Sequence, residues 1–291
     1  MGIINAGTGL GGIVAPPLIA AVITHVSWFG FSPWRWVFLI TGALGLAWTL
    51  WWTKDYFVPE GSASAVPQPA ESQIGKPRYS MRELLQFRET WGIVGAKFLT
   101  DAAWYFYMFW LPKYLLDARG FDIKGVGSVA WIPFAAAALG CLLGGGLSSW
   151  LLHRGCSIGA ARKIALGASA AVMPCVMLVP QVSVPWVIFL FSVAFFGQQS
   201  WSTLVMTLPT DMFPREALGT VAGFVGLGGA LGGVVLGQLA GYLLDHGFTY
   251  GPVLMIAGSL HVAAFLLILL TVRSINPLPA KAEFIAASPV T

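Results

Sequence analysis

Two residues of opposite charge stand inside a long apolar stretch, at the ends of "KFLTD" (97–101). Lys97 and Asp101 are four residues apart, which places them on one face of a helix. Ions are costly to bury in a membrane span, so such residues are candidates for a functional site. Two interpretations stay open: a mutual structural pair, or an Asp101 that borders a central cavity, where protonation or a substrate would change its pairing. Because Lys before Asp is the weaker helical order, further partners are expected.

Two aromatic residues follow on the same helix. Trp104 and Tyr105 lie too deep in the span for the aromatic belt of a membrane interface, and Tyr105 shares the helix face of Asp101. Their rings could stack on, or hydrogen-bond to, a sugar-like substrate. They could equally pack against neighbouring helices. We prefer Tyr105 as the substrate contact because it lies on the face of Asp101.

Uncharged polar residues interrupt two other apolar stretches. The segment "GQQSWS" (197–202) contains Gln198, Gln199, Ser200 and Ser202, and the first stretch contains Asn5 and Thr8. A carboxamide that faces lipid has no hydrogen-bond partner, so at least one of the two glutamines must point into the protein. Its partner is either a neighbouring helix or a substrate hydroxyl, and the same two alternatives hold for the polar residues of the first stretch.

The composition indicates a chain that is solvated by lipid. The mean hydropathy is +0.76, and 57% of residues are hydrophobic while 10% are charged, against about 25% charged in soluble domains. The four histidines lack metal-ligand spacing, and the three cysteines are read as packing residues. The segment "GTGLGG" (7–12) has no preceding strand, as a dinucleotide site requires. We therefore expect no enzyme, cofactor, metal or nucleic-acid partner.

Eight stretches are long and apolar enough to cross a bilayer, which takes about 20 residues each. They predict an all-α membrane protein and exclude a barrel, whose strands would be short and alternating. The predicted spans are 2–25, 34–53, 91–112, 126–152, 164–183, 186–208, 217–243 and 250–272.

The distribution of Lys and Arg predicts the orientation of these spans. With residue 1 on the cytoplasmic side, eleven cations lie in inside loops and four in outside loops, so both termini are expected in the cytoplasm. The inside set is Lys54, Lys76, Arg78, Arg82, Arg88, Arg154, Arg162, Lys163, Arg215, Arg273 and Lys281, and the outside set is Arg35, Lys113, Arg119 and Lys124.

A long polar segment divides two spans from six. We expect two spans in 1–53, a cytoplasmic linker over 54–89, a six-helix unit over 90–273 and a cytoplasmic tail over 274–291. Within the linker, "SMRELLQFRE" (80–89) predicts a short surface helix. Ser80 and Glu83 have the spacing of a capping box at its start.

An internal repeat relates the two ends of the chain. The segment "GIINAGTGLGG" (2–12) aligns with "GTVAGFVGLGG" (219–229), and "VFLITGAL" (37–44) aligns more weakly with "VLMIAGSL" (253–260). Four spans precede the second copy after the linker, and none precedes the first. This pattern predicts a parent of six spans, a linker and six spans, from which the first four spans are absent here.

Glycines recur in both copies of the repeat. Small residues let helix backbones approach closely in lipid, so the stripe is read as tight packing, and as a sliding surface for the rocking of two halves. The second copy has Gly229, Gly233, Gly237 and Gly241, and its counterpart in the first copy includes Gly9 and Gly12.

Several segments together resemble one transporter family. They are "INAGTGLGGIVAPPL" (4–18), "WRWVFLITGALGLAW" (34–48), "KFLTDAAWYFYMFWLPKYL" (97–115), "GGGLSSWLLHRGCSIGAARK" (144–163) and "GQQSWSTLVMTLPTDMFP" (197–214). With the six-linker-six organisation, they resemble the major facilitator superfamily, and within it the anion:cation symporter family of hexuronate, galactonate and glucarate transporters. The resemblance implies a major-facilitator bundle in which 2–25 is the fifth span and 250–272 the twelfth.

The resemblance also implies a cytoplasmic loop motif between the eighth and ninth spans. Its residues here are Gly145, Ser148, Arg154, Arg162 and Lys163. The family often has an acidic residue just after the Ser of this motif. Ser149 occupies that position, so the sequence does not identify an acid for a loop-locking salt bridge.

The function implied by the resemblance is proton-coupled symport of a small organic anion, such as a hexuronate or aldonate, by alternating access in the inner membrane. The resemblance also implies that Asn5 and Thr8 face the cavity. The family binds the substrate carboxylate largely through an Arg of its first span and takes up protons at acids of the first and fourth spans. Because those spans are absent, we expect no transport by this chain alone. The alternative is a membrane scaffold or regulatory subunit that does not transport, and a protein partner is unknown.

Overall fold

The computed structural model describes residues 2–26, 30–56 and 79–278. Two 3-10 helices, Met173–Gln181 and Arg215–Ala217, join the α-helices of these ranges. The α-helices are α1 Gly2–His25, α2 Pro33–Asp55, α3 Met81–Leu84, α4 Arg88–Arg119, α5 Ile123–Val129, α6 Trp131–His153, α7 Ile158–Ala171, α8 Val184–Val205, α9 Leu208–Met212, α10 Leu218–Asp245 and α11 Tyr250–Thr271. Most of the predicted linker and tail, 57–78 and 279–291, lies outside the described residues.

Seven helical segments of the described chain are long and apolar enough to cross a membrane, which confirms the predicted fold class. The predicted span 91–112 lies within α4, which is not one of the seven. Its 32 residues extend about 48 Å, so length is sufficient. Lys97, Asp101 and the tryptophan and tyrosine residues around them lower its hydropathy. Because α4 packs against both α10 and α11, we still propose it as the eighth span.

Two predicted spans change their helical geometry at a proline. The span 126–152 is divided between α5 and α6, where Pro133 has no N–H to donate to the carbonyl of Val129. The span 164–183 begins as α7 and continues as the 3-10 helix that carries Pro174 in its first turn. These breaks were not predicted from hydropathy, because proline is compatible with an apolar window.

The predicted capping box is confirmed at the start of α3. The backbone N–H of Ser80 donates to Glu83 Oε2 at 2.7 Å, and the N–H of Glu83 donates to Ser80 Oγ at 3.3 Å. The helix is shorter than predicted, since it ends at Leu84 and a turn precedes α4. The hydroxyl of Thr90 donates to the carbonyl of Leu84, which fixes this turn against the first turn of α4.

The bundle is organised around α8, the helix with the largest buried share among the candidate spans. It packs against α6, α7 and α4, while α1 packs against α6. By contrast, α2 has no buried residue and contacts α1. Its exposed Trp48, Trp52 and Tyr56 stack on one another with centroid distances of 5.3 and 4.7 Å. Such a surface is suited to lipid.

Glycines of α10 bring its backbone against α4. A methyl group at Gly232 would overlap the carbonyl of Phe98, and one at Gly229 or Gly233 would overlap Asp101 or Tyr105. Of the four predicted glycines, Gly229 and Gly233 therefore pack closely, and both lie against α4. At the other two predicted glycines, which lie further along α10, no described atom comes within 4 Å of an added methyl carbon. Gly237 and Gly241 are thus not packing positions in this bundle.

The glycines of α1 make close contacts of the same kind with α6. A methyl carbon at Gly9 would lie 2.7 Å from Cβ of Ala138, and one at Gly12 would overlap the ring of Phe134. Both contacts are on α6. The close approach of α1 to α6 therefore depends on the glycine-rich start of the repeat.

The predicted loop motif is built around Arg162 of α7. Its Nε donates to Asp211 Oδ2 at 2.8 Å, and its Nη1 donates to Ser148 Oγ at 2.9 Å. The acid that the sequence did not identify is thus Asp211 on α9. Because this residue is far along the chain from the motif, spacing alone could not reveal it.

The other cations of this motif make separate contacts. Lys163 Nζ donates to the carbonyl of Arg273 at 2.8 Å, just beyond the end of α11. The guanidinium of Arg154 lies 4.9 Å from the ring centre of Trp150. Gly145 faces the methyl group of Thr203 on α8. The motif therefore ties α6 and α7 to α8, α9 and the end of α11.

Replacement of Gly232 by Ala should destabilise the bundle by about 1–3 kcal/mol, because the added methyl group overpacks the backbone of α4. Gly237→Ala is the matched control on the same helix, and it should leave the midpoint unchanged or raise it, since Ala is the better helix former. Thermal unfolding of the purified chain in detergent measures both. Equal midpoints for the two variants would contradict the assigned contact.

Asp211→Asn should lower the free energy of unfolding by about 1.5–3 kcal/mol, because it weakens a partly buried, charge-assisted hydrogen bond. The side chains of Arg162 and Asp211 are 16% and 19% exposed. Asp117→Asn removes a carboxylate from the exposed pair with Lys113 and should unfold like the wild type. If both variants lost a similar free energy of unfolding in the same assay, the Arg162–Asp211 pair would stabilise the bundle no more than the exposed pair does.

Candidate functional site

A cavity of about 900 Å³ lies between α1, α4, α5, α6 and α8, and Gly226 of α10 also lines it. Its volume is at the upper end of small-molecule sites, which are roughly 300–1,000 Å³. The predicted site residues that line it are Asn5, Thr8, Gly9, Gly12, Lys97, Asp101, Trp104, Tyr105, Gln198 and Gln199. The structure thus brings together polar side chains from three helices that are far apart in the sequence.

An ion pair forms the charged part of the cavity wall. Lys97 Nζ donates to Asp101 Oδ1 at 2.8 Å and to Ser202 Oγ at 3.2 Å. The two charged side chains are 11% and 13% exposed, so they are largely removed from solvent yet still reach the cavity. The further partner expected for the weaker helical order is therefore Ser202 of α8. Lys97 and Asp101 therefore pair with each other, and both also line the cavity.

Gly229 of α10, in the second copy of the repeat, leaves space for Asp101 in this wall. A methyl group at Gly229 would overlap Asp101 Oδ2. The carboxylate is therefore held between Lys97 on its own helix and the bare backbone of α10. This close contact limits the rotamers open to Asp101 and keeps it near its cation.

The two aromatic residues pack and line the cavity at once. Trp104 makes edge contacts with Phe134 and Phe195 at centroid distances of 6.5 and 5.1 Å. The ring of Tyr105 is stacked on Phe109 at 6.0 Å and abuts Gly233. The two interpretations of these rings are thus compatible, because one face of each can pack while another part borders the cavity.

Asn5 and Thr8 are the polar residues that α1 contributes to the cavity wall. The Thr8 hydroxyl donates to the carbonyl of Asn5 at 2.6 Å, which leaves its oxygen as an acceptor. The Nδ2 group of Asn5 lies 3.5 Å from Thr203 Oγ1 on α8, a long contact. Asn5 is thus only weakly held and can turn towards a ligand.

The polar segment of α8 divides between the cavity and the helix interfaces. Gln198 is 1% exposed and its Oε1 accepts from Nε2 of His261 on α11, whereas Gln199 is half-buried in the cavity wall. Ser200 does not line the cavity: its hydroxyl lies 2.7 Å from that of Ser169 on α7. Helix geometry explains this difference, because Ser200 is turned about 200° from Gln198. We therefore remove Ser200 from the site.

Sequence reasoning missed His261. The four histidines lack metal-ligand spacing, so that pattern does not single out His261. Its position in the middle of the apolar span 250–272 was the available signal, since a buried imidazole needs a hydrogen-bond partner.

Comparison with known proteins agrees with this architecture. The Major Facilitator Superfamily pattern matches residues 1–237. The chain is 29% identical over 259 residues to the hexuronate transporter of Escherichia coli (strain K12), covering 84% of this chain and 58% of that protein. It is 28% identical over 240 residues to the D-galactonate transporter of Escherichia coli O6:H1, covering 76% of this chain and 55% of that protein.

A solved structure shows the same fold. It is a bacterial homolog of the human lysosomal transporter Spinster, which aligns with a TM-score of 0.56 and 18% identity over 98% of this chain and 71% of that chain. The curated relatives are transporters and not enzymes, and this chain spans less than two thirds of the length of those two. With a family match over most of its residues and a multi-pass helical bundle, the chain belongs to the Major Facilitator Superfamily.

Proposed function

We propose that these residues form part of a secondary transporter that carries a small organic anion, of the sugar-acid type, together with a proton. The observation that carries this proposal is the Lys97–Asp101 pair in the wall of the 900 Å³ cavity. The names of the two relatives support the substrate class. The absence of any charge in the described lining beyond this pair makes Lys97 the group that would neutralise an anion.

A carboxylate that enters the cavity competes with Asp101 for the ammonium group of Lys97. The lysine already has two acceptors, Asp101 and Ser202, and an ammonium group has three hydrogens to donate. A substrate carboxylate can therefore use the third hydrogen first and then replace Asp101. The low dielectric around the pair makes this exchange energetically significant.

Proton coupling follows from the charge balance of that exchange. If the substrate takes the cation, Asp101, whose side chain is only 13% exposed, is left as a second anion. An unpaired buried carboxylate is costly and gains a proton instead. One anion and one proton then enter the site together, with no change in its net charge.

The remaining lining is suited to a hydroxylated ligand. Gln199, Asn5 and Ser202 offer amide and hydroxyl groups, while Trp104 and Tyr105 offer rings on which a sugar chain can lie. This mixture of one cation, several neutral polar groups and aromatic surface suits a polyhydroxylated carboxylate better than an apolar ion. A neutral disaccharide would use the volume but not the single charge.

The domain boundaries and orientation belong to the same proposal. We assign 1–53 to one half, 90–273 to the other, and the loops rich in Lys and Arg to the cytoplasmic side of the inner membrane. The glycine contacts of α1 with α6 would then be an interface between halves. Small residues there permit the sliding that alternating access requires.

Removal of the lysine charge tests anion recognition. In lipid nanodiscs, the double variant Lys97→Met/Asp101→Asn should weaken binding of D-galacturonate or D-galactonate by about 10- to 150-fold, the equivalent of one charge-assisted hydrogen bond. The double variant avoids leaving an unpaired buried carboxylate. Lys113→Met/Asp117→Asn neutralises the exposed pair with the same spacing on the same helix and should bind like the wild type.

These binding measurements also separate the proposal from its alternative. If the wild type binds neither sugar acid, the reading as a scaffold or regulatory subunit is favoured and the transporter proposal fails. If the two double variants lose affinity equally, the charge of Lys97 is not the recognition element.

Asp101→Asn alone tests the proton. The variant keeps Lys97 and removes its competitor, so it should bind the anion at least as tightly as the wild type. Calorimetry in two buffers of different ionisation enthalpy counts the protons taken up on binding. We expect about one proton per anion for the wild type, from the charge balance above, and none for the variant. Equal proton uptake by both proteins would exclude Asp101 as the coupling group.

A further inference from the structure

A buried histidine contacts the back of the cavity wall. His261 lies in the middle of α11 and is fully buried. Its Nε2 is hydrogen-bonded to Oε1 of Gln198 on α8, a residue that lines the cavity although only 1% of its surface is exposed. The charge exchange proposed above does not use this imidazole.

The chemistry of the two groups fixes the direction of the hydrogen bond. The amide oxygen of Gln198 can only accept, so Nε2 of His261 carries the hydrogen. The other ring nitrogen, Nδ1, is buried and has no hydrogen-bond partner among the described residues, which is consistent with the neutral ring. The indole of Trp201 packs edge-on against the imidazole at 5.8 Å, so the ring has little freedom to turn.

This contact determines which end of the carboxamide is available to a ligand. Since His261 occupies the amide oxygen, the amide nitrogen of Gln198 is left as the hydrogen-bonding group for the cavity. Gln198 and Ser202 are four residues apart on α8, about 5–6 Å between Cβ atoms, and Ser202 accepts from Lys97. An amide donor therefore lies one helical turn from the site of the cation.

We propose that His261 is a positioning residue, which orients the Gln198 carboxamide so that the cavity presents an N–H donor beside Lys97 to the carboxylate of the bound anion. This inference rests on the function proposed above and adds a specificity-determining contact to it. Without the imidazole, the carboxamide can turn over and present its oxygen. An oxygen in that position repels a carboxylate instead of binding it.

Two substitutions at position 261 separate this role from simple packing. His261→Phe keeps a ring of similar size but has no donor, whereas His261→Gln retains an N–H near the position of Nε2. In nanodiscs, His261→Phe should weaken D-galacturonate binding about five- to tenfold, the worth of one hydrogen bond. His261→Gln should bind within about twofold of the wild type. Ser259→Ala, an exposed position on the same helix, is the control for effects of α11 itself.

A spectroscopic measurement tests the contact without any ligand. In the ¹⁵N-histidine-labelled chain, the His261 resonances, identified by their loss in His261→Gln, should show a hydrogen on Nε2 and none on Nδ1. Gln198→Met removes the acceptor at similar size and should shift the Nε2 resonance. A hydrogen on Nδ1, or no response to Gln198→Met, overturns the proposed orientation.

The outcomes distinguish this inference from the proposed function. If neutralisation of Lys97 abolishes anion binding while His261→Phe binds like the wild type, the function stands and the positioning role is wrong. If His261→Phe and His261→Gln lose affinity equally, the residue acts by packing, and the inference also fails. If the wild type binds no sugar acid, the proposed function itself is overturned, whatever the histidine spectrum shows.

Discussion

The ion pair between Lys97 and Asp101 is the interaction on which the arrangement of the cavity depends. Neither charge can be exposed to lipid, so each must find its partner within the bundle. The pair satisfies this requirement along one helix, and Ser202 provides the link from α4 to α8. A wall that already contains one cation and one anion can exchange the anion for another without creating a net charge. The same constraint that pairs the two charges is therefore the one on which the proposed exchange with a ligand carboxylate rests.

The glycines determine how closely the helices around this pair can approach. Gly229 and Gly232 remove the side chains that would separate α10 from Asp101 and from the backbone of Phe98. In water, apolar burial would compensate for a looser contact. Between helices in lipid, however, association depends on close van der Waals packing and on interhelical hydrogen bonds. Bare backbone at these two positions is thus what allows the short, charged side chain of Asp101 to lie buried between α4 and α10.

The sequence predicts the features that depend on a single helix. Span positions follow from hydropathy, and Lys97, Asp101, Trp104 and Tyr105 were expected to share one region because they share one helix. The capping box at the start of α3 was predicted for the same reason, since its residues are three apart. In each case, the geometry of one helix is sufficient for the inference.

Features that depend on how helices face each other were not predictable in this way. The sequence could not distinguish Ser200, which bonds to Ser169, from Gln198, because only the position of α7 decides which face of α8 borders the cavity. Asp211 and His261 were missed since their partners lie 49 and 63 residues away. The glycines show the same limit: spacing indicates a stripe of four on α10, but α4 comes close enough to require only two of them.

The internal repeat connects these observations at the level of the whole cavity. Gly9 and Gly226 are equivalent in the two copies, and both line the cavity, so the two copies contribute matching segments to one site. Another equivalent pair, Gly12 and Gly229, makes different contacts: Gly12 lies against the ring of Phe134, and Gly229 lies against the carboxylate of Asp101. A glycine therefore specifies only that something approaches closely at that position. The neighbouring helix decides whether an aromatic or a charged group does so: Phe134 of α6 lies against the first copy, and Asp101 of α4 lies against the second.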